Sequence, residues 1–226
     1  MEFVKLKELC DFEKGSTGLA KAVPGDYTLV TTRAERKSCD EYQFDTKAVC
    51  IPLVSSTGYG HASLKNVHYQ EGKFALGSIL VALTSKDDNR LDIQFLHLYL
   101  SQLKDEVLVP LMSGAANVAL SVKKVQGIEI PLPVIERQQE IVERFKSIVI
   151  EKDELKSELT HQQTLLRKLR QQILQEAIEG KLTADWRAQN PDLEPSSELL
   201  KRIAAEKVQL VKNKKIKKKA VATSFR

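Results

Sequence analysis

VIERQQEIVERFKSIVIEKDELKSELTHQQTLLRKLRQQILQEAIE, residues 134–179, runs for 46 residues without a glycine or a proline. Those two residues punctuate loops and end helices, so the stretch reads as one uninterrupted helix, roughly 70 Å long at 1.5 Å per residue. A single globular domain seldom needs a helix of that length. Its apolar residues follow a heptad. One set of core positions is Phe145, Lys152, Leu159, Leu166 and Ile173; the other is Ile141, Ile148, Leu155, Gln162 and Leu169. Alternate spacings of three and four over about five heptads make a seam for a second helix rather than a broad face for a globular core. Lys152 and Gln162 interrupt the seam, and polar core residues weaken a coiled coil while fixing its register and partner. The alternative is an amphipathic helix packed on its own domain, but nothing else in the chain is long enough to cover it.

Composition divides the chain around this helix. Of 226 residues, nine of ten glycines and five of seven prolines lie in residues 1–133. That part reads as mixed α and β, with β-prone runs at Tyr27–Thr32, Ala48–Val54, Ser78–Thr84 and Gly127–Pro131, separated by turn signals such as Pro24-Gly25 and Glu71-Gly72. IQFLHLYLSQL, Ile93–Leu103, reads as a short buried helix. The predicted organisation is α+β: a globular domain over residues 1–133, the long helix over 134–180, then a connector, a short helix and a basic tail over 181–226. Gly180 is placed as a helix C-cap. Trp186 is a candidate anchor in the connector, Ser196 or Ser197 a candidate cap for the second helix, and KNKKIKKK (212–219) a cationic run.

Net charge is +5, but the balance is −1 over residues 1–134, −1 over 135–180, −2 over 181–200 and +9 over 201–226. All net positive charge sits in the tail, so global electrostatics alone would not make the body a nucleic-acid binder. The tail reads as a solvated linker or as a phosphate contact. No apolar run reaches the 18 residues of a membrane span, and the first twenty residues lack the apolar stretch of a secretory signal. Three unclustered cysteines, Cys10, Cys39 and Cys50, fit reduced thiols, and the expected compartment is the cytoplasm.

No catalytic constellation stands out. There is no G-x-x-x-x-G-K-[ST], no G-x-G-x-x-G and no H-E-x-x-H. His61 and His68 read as surface histidines, Cys50 as a buried strand cysteine, and Asn190-Pro191-Asp192-Leu193 as a turn. The expectation is a binding protein with neither catalytic residues nor a metal.

PLPVIERQQEIVERF (131–145), followed by LRKLRQQILQEAIEGKLTADWRAQNP (166–191), resembles the conserved region of the specificity subunit of type I restriction–modification systems. LKELCDFEKG (6–15), YQEGKFALGSILVALTSK (69–86), QFLHLYL (94–100) and SGAANVALSVKKVQGIEIPLP (113–133) resemble, more loosely, a target-recognition domain of that family. The resemblance runs in order over about residues 3–210. It implies sequence-specific binding of double-stranded DNA on behalf of a partner methyltransferase subunit and a restriction/translocase subunit. S-adenosylmethionine would belong to the methyltransferase alone, and this chain would carry no cofactor. Family members hold two recognition domains and two long helices paired antiparallel. This sequence has one of each, so it reads either as a half-size subunit that dimerises through its helix or as the N-terminal portion of a longer chain. A two-fold dimer would read a split palindrome.

Readout needs donors and acceptors at base edges and cations or hydroxyls at phosphates. Four polar loops supply them. The candidates are Thr31, Arg33, Arg36 and Lys37 in the first loop, and Thr57 and His61 in the second. Lys86 and Arg90 stand in the third; Ser113, Asn117, Lys123 and Lys124 stand in the fourth. Arg33 and Asn117 suit base reading, by guanine and adenine geometry respectively, and the lysines suit phosphates. Competing readings are a coiled-coil scaffold with a protein-binding head, and a hydrolase using Cys50.

Overall fold

AVCIP (48–52) and LVAL (80–83), two short apolar runs, pair as neighbours at the centre of the fold. The computed structural model describes residues 2–213 apart from Lys21, Gly58, Tyr59, Ala116, Asp192 and Leu193. Most of the cationic run, part of the Ser55–His61 loop and half of the Asn190–Leu193 turn therefore lie outside the described residues.

The strands are β1 (Glu2–Lys5), β2 (Cys10–Lys14), β3 (Tyr27–Val30), β4 (Lys37–Cys39), β5 (Phe44–Asp45), β6 (Ala48–Pro52), β7 (His68–Gln70), β8 (Lys73–Leu76), β9 (Leu80–Ser85) and β10 (Glu129–Leu132). The helices are α1 (Leu6–Leu9), α2 (Ile93–Gln102), α3 (Lys104–Val107), α4 (Val122–Gln126), α5 (Ile135–Ile178), α6 (Ala184–Gln189) and α7 (Ser196–Lys212). One four-stranded sheet has the order β2-β9-β6-β7, antiparallel throughout; a second has the order β4-β3-β8-β5, with β3 and β8 parallel. β1 pairs with β10, joining the first strand to the residues that lead into α5.

Alternation along β6 and β9 decides what each side chain meets. Ala48, Cys50, Leu80 and Ala82 pack with Val30, Phe44, Phe74 and Leu76 of the second sheet. Val49, Ile51, Val81 and Leu83 belong instead to the larger core, with Leu96 and Leu100 of α2. A strand covered on both faces carries apolar residues at every position, which is why these two runs show no polar alternation. α2 starts where expected because Asp92 caps it, its carboxylate accepting from the Gln94 and Phe95 amides at 2.6 and 3.4 Å.

The chain separates into two compact units, Met1–Glu154 and Leu155–Arg226. The first unit takes in the opening turns of α5, well past the border expected at residue 133. Gln138 is fully buried: its Nε2 donates to the carbonyls of Arg90 (2.9 Å) and Pro133 (2.8 Å), and its Oε1 accepts from the Asp92 amide (2.9 Å). Val142 is buried and Ile141 packs against the core, so Ile141 serves the domain rather than an open seam. Phe145 is half-buried against α2 residues. The later heptad residues differ. Ile148, Leu155, Leu159, Leu166, Leu169 and Ile173 are all exposed, from 47% at Ile173 to 71% at Leu155.

In the second unit Gly180 has φ +73, the left-handed conformation that ends a helix. Its carbonyl accepts from Arg187 Nη2 at 2.6 Å. Two expectations are corrected here. The connector after Gly180 opens with a 3₁₀ turn (Lys181–Thr183) and α6, and Trp186 is 56% exposed rather than an anchor. Neither Ser196 nor Ser197 caps α7; Pro195 precedes the helix with no side-chain cap, and Arg202 pairs with Glu194 at 3.0 Å.

Candidate nucleic-acid interface

Two of the four predicted loops are joined by hydrogen bonds, and a third is tied to the β6–β7 connection that carries one of them. The loop between β3 and β4 is tied to the approach to β7 by Asn66, whose Nδ2 donates to the Thr32 carbonyl at 3.1 Å. The loop after β6 is tied to the loop before α4: the Ser55 amide donates to the Val118 carbonyl (2.9 Å), and Val54 and Ser113 both bridge to Ala119. Within the second loop Ser55 and Thr57 hydroxyls donate to the His61 carbonyl at 2.6 and 3.2 Å, which folds it on itself. Gly114, at φ +138, lies where any Cβ would run into the Asn117 carbonyl, so the tight turn that displays Asn117 requires glycine.

On this linked set Arg33, Lys37, Thr57, His61, Ser113, Asn117, Lys123 and Lys124 are exposed. Arg33, Lys37, Lys123 and Lys124 make no ion pair among the described residues. Lys124 Nζ donates to the Leu111 carbonyl (2.8 Å) and Ser113 Oγ (3.1 Å), which orients it along the fourth loop. Residues 31–37 carry a net charge of +2, as do residues 113–124. Unneutralised cations beside a free amide group are what phosphate contact and base-edge readout require.

Lys86 and Arg90 stand apart from that set. Lys86 Nζ donates to the Lys7 carbonyl at 2.6 Å and lies 3.9 Å from Asp11; Arg90 lies 3.8 Å from Glu2. Residues 84–90 carry no net charge, because Asp87 and Asp88 balance the two cations.

Two predicted loop residues are drawn into the fold instead. Thr31 is 2% exposed, its Oγ1 accepting from the Arg33 amide at 3.3 Å. Arg36 is half-buried: Nε donates to Gln70 Oε1 (3.2 Å), Nη2 to the Tyr69 carbonyl (3.2 Å), and Nη1 to the Ala34 carbonyl (3.4 Å) and His68 Nδ1 (2.9 Å). An arginine can only donate, so His68 Nδ1 accepts and the ring carries its proton on Nε2. His68 is 6% exposed, which corrects its reading as a surface histidine. Burial and the adjacent Arg36 charge push its pKa down to about 4. His97, whose Nε2 meets the Val67 carbonyl at 3.1 Å, is also held below the usual histidine range, chiefly by burial. Cys50 is fully buried and its thiol is pushed up to about 12 by burial, a poor nucleophile. Asn66, Gln70 and Gln138 carry no local sequence signal, and their tethering roles emerge only with the fold. Among the described residues no group of three or more His, Cys, Asp or Glu is placed to hold a metal, and no helix is long and apolar enough to cross a membrane.

Residues 1–163 match the family model "Type I restriction modification DNA specificity domain". This chain is a member of that family. It is similar to the EcoBI specificity subunit of Escherichia coli, with 36% identity over 118 residues, which is 50% of this chain and 25% of the relative. The StySPI specificity subunit of Salmonella potsdam is 32% identical over 114 residues, 49% of this chain and 25% of the relative. The EcoAI specificity subunit of E. coli is 58% identical over 53 residues, 24% of this chain and 8% of the relative. These relatives are named as specificity subunits of type I restriction enzymes. In fold the chain is similar to the type I restriction–modification system S subunit from M. genitalium (TM-score 0.54, 17% identity, 82% of this chain and 48% of that one). It is also similar to that of Thermoanaerobacter tengcongensis (TM-score 0.55, 23% identity, 78% and 44%). The chain thus matches about a quarter of the length of the first curated relatives and about half of the solved specificity subunits.

Proposed function

We propose that this specificity-domain chain reads one half of a bipartite DNA target and brings a partner methyltransferase subunit and a restriction/translocase subunit to it. The observation that carries the reading is the stitched loop set, with Arg33, Lys37, Asn117 and Lys123 exposed and without ion-pair partners among the described residues. Sequence information would come from Arg33 and Asn117, and positioning on the backbone from the lysines. A second copy, paired along the exposed heptads of α5, would supply the other half-site. The chain itself would hold no cofactor, S-adenosylmethionine residing in the methyltransferase, and it would act in the cytoplasm.

The test is selection of the full chain on a library of randomised DNA duplexes. The expected result is an enriched split motif whose two halves are related by a two-fold axis, with binding that weakens steeply as salt rises. Equal retention of all sequences, or no preference for DNA over heparin, would overturn the reading in favour of a coiled-coil scaffold.

A further inference from the structure

We propose that Arg36 is a positioning residue: it locks the Thr31–Lys37 loop onto β7 so that Arg33 meets the duplex in one fixed orientation, and it does not itself contact DNA. The inference rests on the function proposed above and assigns Arg36 a different task from its neighbours Arg33 and Lys37.

Four hydrogen bonds engage all three guanidinium nitrogens of Arg36. Three of the acceptors, Gln70, His68 and Tyr69, belong to β7, more than 30 residues away in sequence; the fourth, the Ala34 carbonyl, belongs to the loop itself. A planar fork can meet acceptors in several fixed directions at once, whereas a lysine ammonium on a flexible stem cannot reproduce that pattern. A guanidinium committed inward in this way has little left to offer a phosphate.

The hold is not on Arg36 alone. Thr31 is buried and its hydroxyl accepts from the Arg33 amide; the Thr32 carbonyl accepts from Asn66; the Ala34 carbonyl accepts from Arg36. The backbone is therefore anchored on both sides of residue 33. The Arg33 side chain, at the middle of this anchored run, is exposed and makes no hydrogen bond among the described residues. Fixing the base of a long side chain by its supporting residues is how a recognition group is held within the tolerance that base-edge geometry demands. His68 accepts from Arg36 only while neutral, and its environment keeps it so: the groups facing it are Arg36 and His97, with Cys50 its partner across the strand pair.

The test uses the full chain and the duplex selected by the wild type, against a scrambled duplex of equal length. Four variants are measured: Arg33→Ala, Arg36→Lys, the double variant, and Asn66→Ala. Arg36→Lys keeps the charge and loses the fork; it should lower the preference for the selected duplex about tenfold. Adding it to Arg33→Ala should cost nothing further, because a lock has no effect once the group it aims is gone. Asn66→Ala, which removes the second tether, should lower the preference in the same direction by a smaller factor, and it carries the test if thermal melting shows Arg36→Lys to be unfolded. Full preference retained by Arg36→Lys, or losses that multiply in the double variant, would overturn the inference and return Arg36 to direct charge contact. A wild-type chain that selects no sequence would be a different failure, that of the DNA-reading function itself, and would take this inference with it.

Discussion

Helix α5 carries one heptad pattern and two kinds of environment. Over its opening turns Gln138 and Val142 are buried and Ile141 packs on the domain core, whereas Ile148, Leu155, Leu159, Leu166, Leu169 and Ile173 are exposed. Periodicity is the same in both stretches, so it reports which residues share a face and is silent on what covers that face. The cover comes from elsewhere: for the opening turns it is the rest of the first compact unit, and for the later heptads a second copy would supply it.

The contrast can be broken most severely at Gln138. Gln138→Ala would strand the Asp92 amide and leave the Arg90 and Pro133 carbonyls with one fewer donor. The expected cost is roughly 4 kcal/mol of folding stability, read by chemical denaturation. A loss below about 1 kcal/mol would mean that the opening turns are not part of the domain after all.

Acid probes the domain through its buried histidines. His68 has a folded pKa of about 4, below the unfolded value of 6.5. The unfolded state therefore binds the extra proton, stability is full above about pH 6.5, and it is lost progressively as pH falls toward 4, by about 3 kcal/mol in all. His97, lowered in the same direction, adds to the slope. His68→Gln should flatten the pH profile of unfolding, and an unchanged profile would remove His68 from the account.

At the exposed heptads the effect should move from stability to association. Leu159→Ala and Leu166→Ala are expected to change domain unfolding by less than about 0.5 kcal/mol. Light scattering of the wild type should give twice 25.4 kDa, and of the double variant a mass falling toward 25.4 kDa at low concentration. A monomeric wild type would assign the seam to another partner. The smallest effect belongs to an exposed ion pair: Arg90→Gln should cost less than about 0.5 kcal/mol, since its pair with Glu2 is long and solvated.

What was legible in the sequence was local. The absence of glycine and proline marks α5, Gly180 ends it, and the apolar runs of β6 and β9 announce strands. The short strands were missed, because two to five residues with mixed polarity, such as Phe44–Asp45 or Lys37–Cys39, give no periodicity to count. The candidate interface was legible as four polar loops but not as three loops linked through the β6–β7 connection and an outlier. Arg33, Arg36 and Lys37 look alike in TTRAERK, and only the β7 acceptors His68, Tyr69 and Gln70, 32 to 34 residues away from Arg36, tell them apart. Gln138 and His68 were overlooked as interior residues for the same reason: the bonds that permit their burial reach across 46 and 32 residues.

The arrangement of β6 and β9 has a consequence in time. Both strands have hydrogen-bonded neighbours on each side and packed layers on each face. Their amides should be the last to exchange with deuterium, opening only when the whole domain unfolds, while the loops at their ends exchange far sooner. A scaffold that opens so rarely keeps its shape while the loops sample other conformations. Loop residues can then be replaced, and a different sequence read, without the slow inner strands registering the change.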